Sequence, residues 1–338
     1  MAVAAGMALS LTILAFSGAA HAEVSFKGKQ ITVFIGFSPA GFGYDTYGRV
    51  LAKYLPRHLP GNPAVVAQNR PGAGSLTLMN QIYNAAPKDG TQIGLVGRGA
   101  AMDPLLSGAG STAMFDATKL GWIGSMNNEV SICAAWHASG VTRFEDVLAR
   151  ELVVGGNGPT SDTYQYAAVM NNVFGAKFRI VNGYPGGNEI NLAMEKGEVF
   201  GRCGWSWSSH KFTHPTWYPQ KKVRVLVQQA LVKHPDLPDV PLASDFARTD
   251  EQRAILKLVF ARQAMAWPFL TPPGVPADRL AALRRAFDET VADPEFLAEA
   301  GKGGYEIRPV KGADIEAIVA EAYRLPAAVV AATAAALK

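Results

Sequence analysis

A chain of 338 residues, nearly half of them apolar, is long enough for two domains or one large one. Its formal net charge of +4 is scattered, with no basic run and no stripe of interleaved aromatics, so the electrostatic footprint of a nucleic-acid binder is missing. Glycine and proline are spread along the chain and form no disordered tract.

Residues 1–22 contain no Asp, Glu, Lys or Arg, and residues 7–16 are a compact apolar stretch before Ala20-His21-Ala22. That pattern reads as a secretory leader cleaved after Ala22. The apolar stretch falls short of the ~20 residues that a membrane span needs. The expectation is a soluble, exported protein.

The remainder alternates between two periodicities. Residues 31–37 (ITVFIGF) read as a buried strand and 45–55 as a helix; 64–70 and 75–85 repeat the pair, and 91–98 read as a third strand. Residues 120–124 and 130–136 add two strands. The alternation restarts at 151–158, a strand ending in glycines, then a helix over 161–174, a strand over 178–184, a helix over 188–196, and strands over 199–205 and 223–228. After Pro241 the chain turns helical, with pieces divided at Asp293-Pro294 and at Pro326. Strand–helix alternation implies parallel sheets covered by helices, here in two units.

The turns between strands and helices share a chemistry. PAGFGYD (39–45), NRPGAGS (69–75) and GGNGPTSD (155–162) each join glycine to a capping residue. Glycine lets backbone approach a ligand, and the first amides of a helix attract anions. Three such turns at strand ends suggest an anion held between two units. They are not nucleotide loops: no G-x-x-x-x-G-K-[S/T] occurs, and 41–48 is not G-x-G-x-x-G. There is no G-x-S-x-G either. His210 and His214 are four apart, but no HExxH accompanies them and Pro215 argues for a loop, so no metal is expected. Cys133 and Cys203, in strand-like segments, are compatible with one disulfide or with two buried thiols.

Individual residues carry paired readings. Asp45 is a ligand contact or the N-cap of its helix, and Ser75 a contact or a cap. Arg98, after the third strand, is a bidentate carboxylate anchor or a surface ion pair. Phe42, Tyr44, Tyr184, Trp205 and Trp207 are aromatic walls of a cleft or ordinary core.

Taken in order, residues 31–96 with their QNRPGAGS run, then GGNGPTSDTYQYA, YPGGNEINLAMEKGEV and PPGVPADRLAALRRAFDETVADPEF, resemble the substrate-binding proteins of tripartite tricarboxylate transporters, the Bug receptors. The resemblance implies an α/β fold of periplasmic-binding-protein type II-like form. Two lobes, each a mainly parallel sheet flanked by helices, would close like a Venus flytrap. Residues 23–133 with 265–338 would form one lobe and 134–264 the other. It implies capture of a small organic acid and delivery to membrane permease subunits, by a monomer with no cofactor, no metal and no catalytic residue. Carried over position by position, the ligand set is Gly41, Phe42, Tyr44, Asp45, Gly74, Ser75, Arg98, Thr160, Ser161, Thr163, Tyr184, Gly187 and Trp207. Phe42 stands where the family usually has glycine. An exported α/β enzyme, or a ligand-sensing partner of a signalling protein, are the alternative readings.

Overall fold

The structure is a computed structural model that describes residues 24–37, 39, 43–159, 161–184 and 186–338. The expected leader, residues 1–22, lies outside the described residues, as do Gly41, Phe42 and Thr160.

The first unit is built on β1 (Gln30–Ile35), β2 (Ala64–Asn69), β3 (Gln92–Leu95), β4 (Gly121–Ser125), β10 (Pro268–Thr271) and β11 (Val310–Lys311). They form one sheet in the order β11-β4-β10-β3-β1-β2. β1 pairs in parallel with β2 and β3, while β10 runs antiparallel between β3 and β4. Helices cover both faces, so both alternations of β1 must be apolar. Ile31, Val33 and Ile35 pack with Leu51 of α1 (Tyr44–Tyr54) and Phe287 of α9 (Ala277–Ala292). Phe34 packs oppositely, with Leu78 and Ile82 of α2 (Leu76–Ala85) and Ile315 of α11 (Gly312–Tyr323). Short α3 (Asp103–Leu106) follows β3, and α10 (Pro294–Lys302) follows α9, its first amides taken by the Asp293 carboxylate.

Both units depart from the mainly parallel expectation: in the first sheet β10 is antiparallel to β3 and β4 and β11 to β4, and the second unit reverses further. β5 (Ser131–Trp136) lies between β8 (Gly201–Ser206) and β9 (Val223–Gln229), antiparallel to both. β6 (Leu152–Gly156) and β7 (Phe178–Asn182) form a separate parallel pair. The helix between β6 and β7 supplies the crossover that a parallel pair needs. α4 (Asp146–Ala149), α5 (Asp162–Phe174), α6 (Gly187–Glu195) and α7 (Trp207–Thr213) surround these strands. α7 occupies the stretch expected to be a loop; Pro215 lies beyond its last turn and does not interrupt it. Cys133 of β5 and Cys203 of β8 are joined by a disulfide inside this unit's core.

α8 (Asp250–Ala261) serves both units. Its Leu256, Val259 and Phe260 enter the second unit's core, and Leu258 and Ala261 the first unit's. Pro326 breaks the C-terminal helices, so α12 (Ala327–Ala336) leaves α11 at 98°. α12 then packs against α5 and α8, with Ala336 and Leu337 in the second unit's core. Among the described residues no single helix is long and apolar enough to cross a membrane.

Candidate functional site

The turns after β1, β2 and β3 face the start of α5 across a cleft of about 790 Å³. Phe37 and Tyr44 stack with ring centroids 3.9 Å apart, and the Tyr44 edge meets Trp267 at 4.6 Å. The Tyr44 hydroxyl accepts from the Arg98 amide at 3.0 Å. Burial pushes the Tyr44 phenol up, and the nearby Arg98 charge works against that rise. α1 opens at Gly43 without a side-chain cap among the described residues.

The β2 turn has an uncommon backbone. Gly72, Ala73, Gly74 and Ser75 have φ of 154°, 45°, 62° and 78° in succession. Left-handed Ala and Ser cost of order 1 kcal/mol each and persist only where surroundings fix them. Here the fixing contact is visible: Ser75 is fully buried, and its Oγ accepts from the Gly97 amide at 2.7 Å. Gly36 permits that approach, since a Cβ there would lie 2.5 Å from the Ser75 Cβ. The strain thus locks the β1, β2 and β3 turns together at the cleft.

The charged centre comes from three separate elements. Arg98 follows β3, Asp162 is the first residue of α5, and Arg262 follows α8. The Asp162 carboxylate is ion-paired with Arg98 across the cleft, and its other oxygen is 3.2 Å from Arg262. Arg98 also donates to Gln263 Oε1 at 3.2 Å. Arg262 donates to the Tyr166 hydroxyl at 2.9 Å and to Gln165 Oε1 at 3.0 Å. Gln263, fully buried, donates to Ser131 Oγ at 2.8 Å and so ties the segment between the two sheets to β5.

Of the sequence-derived set, Tyr44, Gly74, Arg98 and Ser161 border this cleft. Ser161 caps α5, accepting from the Tyr164 amide and donating to the Gly158 carbonyl at 2.7 Å. Asp45 is not the cap of α1: Gly43 holds that position, and Asp45 is in the first turn. It accepts from Asn69 at 2.6 Å and pairs with Arg49 at 3.0 Å. Burial alone would raise the Asp45 carboxyl; the Arg49 and Asn69 hydrogen bonds hold it below its ordinary value. Ser75 holds the N-cap position of α2, but its side chain makes no capping hydrogen bond and does not border the cleft; it is the lock just described.

Thr163, Tyr184, Gly187 and Trp207 stand behind the cleft in the second unit. Thr163 is buried and accepts from the Asn157 amide at 3.0 Å. The Tyr184 ring packs beside Gly155 and Ile190, and the Gly187 carbonyl accepts from Arg202 at 3.1 Å. Trp207 is core: it stacks on His210 with centroids 4.8 Å apart and donates to Asp236 at 3.1 Å. Trp205 is fully buried beside it.

Sequence reasoning missed Asp162 and Arg262. An acid in the first turn of a helix and a base after the last turn are what the helix dipole favours anywhere, so neither stood out. Also unforeseen were Leu76, Leu106 and Leu337, which supply an apolar side to the cleft.

No protein-family model matches the chain, and no curated protein matches it by sequence. Solved structures do. A TctC solute-binding protein from Polaromonas superposes with a TM-score of 0.71 at 16% identity, over 90% of this chain and 99% of that one. The fold is that of the periplasmic solute-binding proteins. BugD, a periplasmic binding protein, matches with a TM-score of 0.55 at 18% identity, over 87% of this chain and 93% of its own. MatC from Rhodopseudomonas palustris, solved with malate bound, matches with a TM-score of 0.58 at 15% identity, over 91% and 99%. The fold class read from the sequence is therefore the observed one, with a mixed sheet in the first unit and mostly antiparallel pairing in the second.

Proposed function

We propose that this protein is an exported solute receptor: it captures an organic carboxylate between two lobes and delivers it to the membrane subunits of a tripartite tricarboxylate-type transporter. The observation that carries this reading is the cleft itself, where an arginine from one unit and the capped start of a helix from the other converge. Guanidinium groups recognise carboxylates by paired hydrogen bonds, and helix starts favour negative charge. The likeness to TctC and BugD, and to a malate-bound relative, supports the same chemistry.

In this reading Tyr44, Gly74, Arg98 and Ser161 contact the ligand. Residues 23–133 with 265–338 form one lobe and 134–264 the other, with α12 reaching across. The protein binds without turnover, acts as a monomer, and begins at Glu23 after cleavage. The test is a calorimetric screen of carboxylic acids on the mature chain, with sugars and cations as controls. A true ligand at a hundredfold over its Kd stabilises the fold by about 2.7 kcal/mol. Stabilisation by sugars or cations alone, with none from a broad acid panel, would sink the proposal.

A further inference from the structure

We infer that Asp162 is a built-in counter-carboxylate that restricts the cleft to singly charged organic acids with an apolar body. The inference rests on the carboxylate reading above and narrows it. Asp162 already occupies the place between two guanidiniums that one ligand carboxylate would take: it pairs with Arg98 on one side and lies 3.2 Å from Arg262 on the other. Neighbouring groups hold that arrangement in place. The second terminal nitrogen of Arg98 is engaged by Gln263, and Arg262 is held by Tyr166 and Gln165.

The charge around the cleft is correspondingly small. Its lining sets two guanidiniums, Arg98 and Arg262, against two side-chain carboxylates, Asp103 and Asp162, so these charges cancel. Little surplus positive charge is left for one ligand carboxylate, and none for a second. A second would have to approach Asp162 or Asp103, and like charges brought together out of bulk water repel strongly. Discrimination by a repulsive group is a common route to specificity. The remaining lining suits a hydrocarbon body: Leu76, Leu106 and Leu337, with the Phe37 and Tyr44 rings, border the same cleft.

The test is calorimetric titration of the mature chain with two matched pairs, hexanoate with adipate and phenylacetate with 1,4-phenylenediacetate. At least one monocarboxylate should bind tenfold or more tighter than its dicarboxylate partner. In Asp162→Asn that ratio should shrink at least tenfold, chiefly through tighter dicarboxylate binding. Dicarboxylates bound as tightly as their partners by the unaltered protein, no binding of either pair, or an unchanged ratio in a folded Asp162→Asn, would each overturn the inference. The ratio in the unaltered protein decides the matter even where the variant fails to fold. Failure of every acid in the wider screen would remove the carboxylate reading as well; failure confined to these pairs removes only the restriction.

Discussion

At the scale of single residues, the site and the core ask opposite things of charge. Arg98 keeps only a fifth of its side chain exposed and spans the two units through Asp162. Arg98→Ala is expected to weaken the best acid at least tenfold by calorimetry, equivalent to about 1.4 kcal/mol. Unchanged affinity would take Arg98 out of the ligand contacts. His210 shows the reverse case, a titratable ring kept neutral. It is 1% exposed, packs against Trp205 and Trp207, and neither ring nitrogen has a hydrogen-bond partner among the described residues. Burial first, then the positive charges of His214 and Arg202, hold its pKa down to about 4 against an ordinary 6.5. Between those values the unfolded chain binds a proton that the native chain does not, so native stability falls as pH drops from 6.5 towards 4. The full loss is about 3 kcal/mol. His210→Phe fills the same slot without a titrating group. Urea denaturation at pH 7 and pH 4.5 should show a smaller acid loss in the variant than in the parent; equal losses would show that His210 titrates freely.

Among the elements, most boundaries were legible because they are local. Pro294 and Pro326 each fix a helix start, and Asp293 accepts from the Glu295 amide at 2.8 Å, as a capping residue before a proline should. β10 was missed because a four-residue strand has too few alternations to register, although it lies at the centre of the first sheet. α7 was missed because its proline follows the helix rather than breaking it. The cysteine pair was undecided for a similar reason: two strand cysteines 70 residues apart bond only if their strands are neighbours. Here β5 and β8 pair, and the crosslink closes a loop long enough to stabilise the fold by about 4 kcal/mol through the unfolded chain. Replacing both cysteines by Ala should lower the denaturation midpoint accordingly, and reducing agent should reproduce the effect; a midpoint indifferent to both would show that the bond contributes nothing.

For the molecule as a whole, a second polar bridge links the units away from the cleft. Glu306, between α10 and β11, hydrogen-bonds His234 at 2.7 Å and is ion-paired with Lys211 of α7 at 2.9 Å. Burial pushes the Glu306 carboxyl up, but these two partners outweigh it and hold it below its ordinary value. Glu306→Gln removes the charge both partners answer and should cost about 2 kcal/mol in urea. Because the bridge joins separate units, small-angle scattering of the ligand-free variant should also show a larger radius of gyration. An unchanged radius would mean that the bridge stabilises without setting the spacing of the units.

The sequence by itself determined the α/β class, the two-unit plan, most of the longer helices and the glycine-rich turns that reach the cleft, because periodicity, capping and turn chemistry act over a few residues. It also supplied Tyr44, Gly74, Arg98 and Ser161, which stand at the ends of elements where ligands gather. Only the tertiary structure decided that Asp162 and Arg262 complete the charged centre, that Trp207 is core, and that Ser75 is a lock between turns. Those residues meet across 64 and 100 positions of chain, from Arg98 to Asp162 and from Asp162 to Arg262. What one side chain means to another at such a distance depends on how sheets and helices pack, and no local pattern carries that information.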